Sequence, residues 1–108
     1  MIMNMKDGIA KIIDLANDDY ARFIPPVDYV SGKMYVDFVN GWDVLYGKKY
    51  IKIVRGGSVW GFIVNTDDDV KFKMGDILKP AGYKAPARNF TRGNVLDGDF
   101  SGVRWATA

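Results

Sequence analysis

The first regular pattern along the chain is an apolar stripe with the spacing of an α-helix. Charged and polar side chains occupy the opposite face, as in an amphipathic helix. Asn4 can cap the start of this helix, and Pro25 and Pro26 prevent it from continuing beyond Ile24. The pattern predicts one helix over residues 5–24, with its apolar face formed by Met5, Ile9, Ile12, Ile13, Ala16 and Tyr20.

At Lys33 the period of the pattern changes to two, which indicates β-strands. Residues 34–39 and 42–46 are both rich in apolar and aromatic side chains, and the dipeptide Asn40-Gly41 separates them. Asn-Gly favours the positive φ angles of a type I′ turn. This pattern predicts a β-hairpin in which Val39 lies opposite Trp42.

A second hairpin is predicted around Gly56-Gly57, between residues 49–54 and 59–64. A two-residue turn pairs Ile53 with Trp60 and Ile51 with Phe62, so that these four side chains form one apolar face. A mixed set of side chains remains for the opposite face, and it suits partial exposure or cover by the helix. That set is Tyr50, Lys52, Val54, Val59, Gly61 and Ile63.

Residues 65–78 predict further short strands. Residues 65–69 form a polar, acidic turn, residues 70–73 alternate again, and residues 74–76 reverse the chain into Ile77-Leu78. Five or six short antiparallel strands in the β core, residues 27–78, are typical of a small barrel. We therefore predict an α+β fold, with the N-terminal helix packed on a small, strongly curved antiparallel β-sheet or barrel, SH3-like or OB-like.

The chain loses its periodicity after Leu78. Residues 79–108 contain two prolines, four glycines and scattered aromatic side chains. This composition predicts an extended C-terminal arm, partly docked on the core through Tyr83, Phe90, Phe100 and Trp105. Helix, β core and arm are assigned to a single domain over residues 1–108, because a chain of this size supports one hydrophobic core.

The composition narrows the chemistry that this domain can perform. The chain contains no Cys, His, Glu or Gln, and all 13 acidic residues are Asp. Thiolate and imidazole catalysis and the usual nitrogen and sulfur ligands of zinc are therefore excluded. We predict a protein that binds a partner, is not an enzyme and needs no cofactor or metal.

The absence of cysteine also bears on where the protein acts. Without cysteine there is no disulfide support, and the short apolar runs near the N-terminus do not resemble a signal peptide. The longest apolar run, residues 58–64, is far shorter than the roughly 18 residues of a membrane span. These features predict a cytoplasmic protein with no membrane contact.

The positive charge of the chain is concentrated in the predicted arm. Residues 79–108 hold five basic and two acidic side chains, whereas residues 1–78 hold ten and eleven. A proline-stiffened basic segment with interleaved rings suits phosphate contacts and base stacking in single-stranded nucleic acid. The candidate nucleic-acid-binding residues are Lys79, Tyr83, Lys84, Arg88, Phe90 and Arg92. Basic residues of the β core extend this surface if the strand faces align with the arm, namely Lys48, Lys49, Lys52 and Arg55.

Two other interpretations of the arm remain open at this point. The cations can simply keep the surface soluble while Tyr83 and Phe90 enter the core. Alternatively, the arm can dock on an acidic protein surface, where Arg and aromatic anchors are also favoured. Homo-oligomerisation through sheet edges is a further possibility.

Acidic residues suggest two weaker alternatives. Residues 97–102 match the opening of a calcium loop, but Ala108 stands where the closing bidentate carboxylate is needed, so we expect an ordinary Asp-Gly turn. A metal-dependent hydrolase requires Asp37, Asp43 or Asp76 to cluster around a divalent ion, and nothing in the sequence brings them together.

Four segments resemble small proteins encoded by tailed bacteriophages, over residues 48–105. These segments are Tyr50-Ile-Lys-Ile-Val, Val59-Trp-Gly-Phe-Ile, Lys73-Met-Gly-Asp-Ile-Leu-Lys-Pro-Ala and Ala85-Pro-Ala-Arg-Asn-Phe-Thr-Arg-Gly-Asn-Val. The resemblance implies action in an infected bacterial cytoplasm or in a virion, and it supplies no catalytic residues. It favours two hypotheses: binding of nucleic acid through the basic aromatic arm, or a protein-binding module that inhibits a host protein or belongs to the virion.

Overall fold

The computed structural model describes residues 4–107 and contains two helices followed by an antiparallel sheet. The elements in chain order are α1 (Met5–Phe23), α2 (Tyr29–Val39), β1 (Trp42–Tyr46), β2 (Tyr50–Arg55), β3 (Ser58–Val64) and β4 (Ile77–Leu78). The strands lie in the order β1-β2-β3-β4, and each is antiparallel to its neighbour. The α+β prediction is confirmed, but the sheet is open and does not close into a barrel.

Helix α1 forms as predicted. The Asn4 side chain accepts a hydrogen bond from the Asp7 amide at 2.8 Å, and the helix ends one residue before Ile24, just ahead of the two prolines. The predicted apolar stripe faces the sheet: its buried members are Ile9, Ile12, Ala16 and Tyr20. Burial of this stripe stabilises the helix, because an isolated helix of this length is marginal in water.

The predicted hairpin over residues 34–46 is wrong, because its first strand is the end of helix α2. A capping box starts the helix: Asp28 accepts a hydrogen bond from the Ser31 amide at 2.8 Å, and Ser31 Oγ accepts one from the Asp28 amide at 3.1 Å. Asn40 then ends the helix with φ −90°, so Asn40-Gly41 forms no type I′ turn. The cap overrides the strand propensity of the β-branched residues that follow it.

The predicted Gly56-Gly57 hairpin is confirmed, but its register is not. Both glycines have positive φ and join β2 to β3. Ile53 lies opposite Gly61, and Ile51 lies opposite Ile63, because Trp60 is the extra residue of a β-bulge. The bulge moves Phe62 to the other face of the sheet from Ile51, where it joins the mixed set of side chains.

Residues 65–76 form no strand, contrary to the prediction for 70–73. Instead, the Asp69 carboxylate accepts hydrogen bonds from the amides of Lys71 and Phe72 at 2.8 and 2.9 Å and shapes a turn. Beyond this turn, Ile77 and Leu78 pair with β3 as the edge strand β4.

Opposite faces of the sheet pack in separate clusters. The inner face meets α1 and residues from the C-terminal segment, and its buried cluster comprises Ile9, Ile12, Ala16, Ile51, Ile53, Trp60, Ile63, Ile77, Val95 and Val103. The outer face carries a smaller buried cluster, namely Phe62, Val64, Phe72 and Leu78.

The C-terminal segment is more closely integrated than an extended arm. Val95 and Val103 lie in the inner cluster, and isolated bridges join Asn94 to Asp76 and to Asp99. Phe100 packs against the inner cluster, and Trp105 contacts the ring of Tyr20, as the docking prediction required. The two other predicted anchors, Tyr83 and Phe90, are both more than half exposed, and Ala108 lies outside the described residues.

Within residues 4–107, neither helix has the length and apolar character that a membrane crossing requires.

Candidate functional site

The outer face of the sheet is only partly covered, by a loop that folds back on itself. We name residues 79–87 the outer loop. Its ends are joined by a hydrogen bond from the Ala87 amide to the Lys79 carbonyl at 2.8 Å, and the Ala81 amide donates to the Ala85 carbonyl at 3.0 Å. Pro86 is buried at its base, and Tyr83 and Lys84 stand exposed at its tip. The outer loop therefore presents these two side chains on a closed backbone framework.

A cleft of about 370 Å³ opens between the outer loop and the strands β1 and β2. We name it the lysine cleft, because three of its lining residues are Lys49, Lys52 and Lys84. The other lining residues are Leu45, Tyr46, Gly47, Tyr50 and Phe62. The lining thus contains three cations and three aromatic rings, with no carboxylate.

Aromatic rings form the floor and rim of the lysine cleft. Phe62 is buried and meets Tyr50 edge to face, with ring centroids 5.9 Å apart. Tyr46 is 63% exposed at the end of β1 and has an accessible ring. Lys49 Nζ lies 5.6 Å from the centroid of the Tyr50 ring, so cation and ring surfaces alternate in the cleft.

Tyr83 borders a second, adjoining cleft on the other side of the loop tip. This cleft measures about 390 Å³ and is otherwise lined by Gly57, Ser58, Val59, Pro80, Ala81 and Gly82. Lys52 Nζ lies 4.1 Å from the centroid of the Tyr83 ring and 6.0 Å from that of Phe62. Tyr83 therefore lines the second cleft and makes a cation–π contact with a lysine of the first.

The lysines of this cleft form no ion pair within the described residues. Among residues 4–107, ion pairs join Arg22 to Asp19, Lys33 to Asp37, Lys73 to Asp97 and Arg88 to Asp69. None of these pairs includes a lysine of the cleft. Three neighbouring ammonium groups without a carboxylate create a positive potential that attracts an anion.

Arg88, a predicted phosphate contact, is engaged within the protein. Its guanidinium donates two hydrogen bonds to the Asp69 carboxylate, at 2.8 and 3.0 Å, and a third to Tyr50 Oη at 2.6 Å. The Asp69 side chain is only 2% exposed, although the sequence pattern places it in a solvated acidic turn. These hydrogen bonds hold the pKa of Asp69 well below its ordinary value and raise that of Arg88. Arg88 therefore links Asp69 to Tyr50 and positions the Tyr50 side chain by its hydrogen bond.

The remaining predicted contacts lie outside the lysine cleft. Lys79 is exposed at the base of the outer loop. The Arg92 guanidinium lies 4.7 Å from the centroid of the Phe90 ring, and neither side chain lines the cleft. Of the six candidates, only Lys84 lines the lysine cleft, and Tyr83 adjoins it through its contact with Lys52.

Among the cleft residues that were absent from the predicted nucleic-acid-binding set, four are lysines or tyrosines. Tyr46, Tyr50 and Lys52 belong to the strands β1 and β2, and Lys49 directly precedes β2. The alternation of Tyr50 and Lys52 on the mixed face of β2 was the signal for them. Lys49 and Lys52 align with the arm as the conditional prediction required, whereas the Arg55 guanidinium lies over the Phe38 ring, at 4.3 Å from its centroid.

The acidic segments form internal contacts. Asp99 accepts hydrogen bonds from the amide and hydroxyl of Ser101, at 3.1 and 2.8 Å, and the Asp97 carboxylate pairs with Lys73. Within the described part of the chain, no three acidic side chains are grouped so that they could hold a metal ion.

Comparison with known proteins finds no matching protein-family model, no matching curated protein and no matching solved structure.

Proposed function

We propose that this protein binds single-stranded nucleic acid, without catalysing a reaction, through the lysine cleft. One observation carries the proposal: Lys49, Lys52 and Lys84 line a cleft together with three aromatic rings and without a carboxylate. Ammonium groups neutralise phosphates, and accessible rings stack on bases. The combination matches a ligand that is both anionic and aromatic.

Exposed rings favour a single strand over a duplex. Tyr46 and Tyr83 are 63% and 57% exposed, and base stacking on such rings requires unpaired bases. Each of the two clefts is open to solvent and has a volume within the range of small-ligand sites. Successive bases can therefore lie on either side of Tyr83 while the lysines follow the phosphates.

The resemblance to small bacteriophage proteins supplies a setting for this activity. A single-stranded ligand fits work on DNA or RNA in an infected bacterial cytoplasm. In this proposal Lys84 and Tyr83 of the outer loop contact the ligand, whereas Arg88, which follows the loop, supports the site through Tyr50.

Binding can be measured by the fluorescence anisotropy of a labelled oligothymidylate of about 10 nucleotides at two salt concentrations. We expect binding that weakens with salt, and weaker binding to a duplex of the same length. The double substitution Lys52→Gln, Lys84→Gln should reduce the affinity by about tenfold or more at low salt. It should also reduce the slope of log K against log salt by about 1.4, if each lysine neutralises one phosphate.

The charge-matched control is Lys6→Gln with Lys11→Gln, since both lysines are exposed on α1, away from the outer face. This control lowers the net charge equally but should leave the salt slope unchanged. Absence of binding at low salt would overturn the proposal, and so would equal losses in the two double variants. Tyr83→Leu separates stacking from charge: it should weaken binding without altering the slope.

A protein-binding module is the second hypothesis, with the arm and a sheet edge as its contact surfaces. Two contacts count against this form of it. Arg88 is already engaged by Asp69, and the Val44 amide on the outer edge of β1 donates to the Asp43 carboxylate at 2.9 Å. Capture of a stoichiometric protein partner from nuclease-treated bacterial lysate, lost in Lys52→Gln with Lys84→Gln, would favour this second hypothesis.

A further inference from the structure

Helix α2 presents an apolar surface to solvent. Of its 11 residues only Phe38 is buried, and four large apolar side chains are exposed. These are Tyr29, Val30, Met34 and Val36, and Val27 just before the helix is 83% exposed. An 11-residue helix has little stability by itself. The large exposed apolar surface on this helix therefore suggests an interface.

A glycine in the middle of α2 has no steric role within the chain. A Cβ added at Gly32 would meet no atom within 4 Å, whereas one added at Gly8 in α1 would lie 2.7 Å from Val95 Cβ. Glycine in a helix interior costs about 1 kcal/mol relative to alanine. Packing inside this chain explains Gly8 but offers no reason for Gly32.

Gly32 lies in an open groove of about 500 Å³ along the outside of α2. The groove is lined by Asp28, Tyr29, Gly32, Lys33, Val36 and Asp37. The glycine therefore forms a notch between the two apolar side chains, Tyr29 and Val36, that lie on the same helical face. A partner helix can approach closely at such a notch.

The charges beside the groove complement a second copy of the same helix. In an antiparallel pair of α2 helices with Tyr29 opposite Gly32, the same register places Asp28 opposite Lys33, and both of these residues line the groove. Two-fold symmetry repeats each of these contacts. A bulky ring then faces a notch. The Asp28 carboxylate of one copy faces the Lys33 ammonium group of the other, which is exposed and lies 3.8 Å from Asp37 of its own helix. The surface is therefore complementary to itself.

We propose that this protein forms a homodimer through antiparallel packing of α2, with Tyr29 of each protomer in the Gly32 notch of its partner. This interface differs from pairing at the sheet edge, where the Val44 amide already donates a hydrogen bond to the Asp43 carboxylate. It lies near the start of β1, whereas the lysine cleft lies at the other end of that strand. The proposal is independent of the proposed nucleic-acid binding.

Sedimentation equilibrium of the full-length protein over about a hundredfold range of concentration tests this proposal. The wild type should show a monomer–dimer equilibrium. Gly32→Ala should raise the dissociation constant by about tenfold, because the methyl group fills the notch. The same substitution should raise the melting temperature of the dilute monomer, because alanine favours the helix and meets no atom there. Damage to the fold would lower this temperature, so the two effects are distinguishable.

Val36→Ser provides a second test, with Val70→Ser as its matched control. Val36 lines the groove, whereas Val70 is a fully exposed valine in the turn after β3. Val36→Ser should weaken the dimer and Val70→Ser should not. A wild type that is monomeric at every concentration would overturn the proposal. A dimer that tolerates Gly32→Ala and Val36→Ser, or that loses affinity equally with Val70→Ser, would overturn it too.

Discussion

Two successive residues of β4, Ile77 and Leu78, are both fully buried but enter different cores. Ile77 points into the inner cluster, which holds ten buried side chains among residues 4–107, and Leu78 points into the outer cluster, which holds four. The inner face is closed by a helix and by Val95 and Val103. The outer face is closed only by loops, and this incomplete cover leaves the lysine cleft open.

The two faces of the sheet have different roles: the inner face stabilises the fold, and the outer face leaves side chains accessible to a ligand. The inner face supplies most of the buried apolar area, which is the main stabilising contribution to folding. On the outer face, ring surfaces and ammonium groups remain accessible because no helix lies over them. A ligand site of this type can form on a sheet only where one face is left without a complete layer.

The largest expected effect on stability comes from two substitutions in β4, one on each face of the sheet, that remove the same number of atoms. Ile77→Ala and Leu78→Ala each remove three carbon atoms from a fully buried side chain of the same strand. We expect Ile77→Ala to lower the free energy of unfolding by about 4 kcal/mol and Leu78→Ala by about 2 to 3 kcal/mol, because loops relax around a cavity more readily than a helix does. Urea denaturation measures both values. An equal or larger loss for Leu78→Ala would contradict the comparison.

A smaller effect is expected from added volume at the inner face. Gly8→Ala would place a methyl group 2.7 Å from Val95 Cβ, and both residues are buried. We expect this substitution to lower the free energy of unfolding by about 1 to 3 kcal/mol, despite the helix propensity of alanine. Thermal denaturation at low protein concentration measures the effect. Gly32→Ala is the control, and a stabilising Gly8→Ala would show that α1 packs less closely on Val95.

The smallest effect concerns acid sensitivity at the outer face. The Arg88 guanidinium and two backbone amides lower the pKa of Asp69 in the folded protein. The stabilisation is therefore present above the pKa of the unfolded chain and is lost as the pH falls below about 5. Asp69→Asn should lower the melting temperature at neutral pH, and its difference from the wild type should narrow on acidification.

Two further carboxyl groups with lowered pKa, Asp28 and Asp99, contribute acid sensitivity to both proteins and cancel in this difference. A gap between Asp69→Asn and the wild type that stays constant down to about pH 3 would contradict the assigned role of the Asp69–Arg88 pair.

The elements that obey local rules were predictable. Asn4 and the two prolines delimit α1, and Gly56-Gly57 fixes the turn between β2 and β3, because caps and turns depend on a few neighbouring residues. The start of α2 was also readable, since Asp28 and Ser31 have the spacing of a capping box. The sequence-based prediction followed the strand pattern of residues 34–39 and did not use the capping box.

The site was predictable only in part. Lys84 and Tyr83 follow from the basic, aromatic composition of the outer loop, and Lys52 follows from the mixed face of β2. The Trp60 bulge, which turns Phe62 toward the cleft, has no signature in the order of apolar residues. The engagement of Arg88 also escaped prediction, because Asp69 lies 19 residues away along the chain.

By itself, the sequence determined the chemistry available to this protein, its first helix and its central hairpin, because residue types and short-range spacing act before any long-range contact forms. Only the tertiary structure decided which cations remain accessible. The packing of loops on the outer face brought the buried Asp69 carboxylate to Arg88, and it left Lys84 in the same cleft as Lys52.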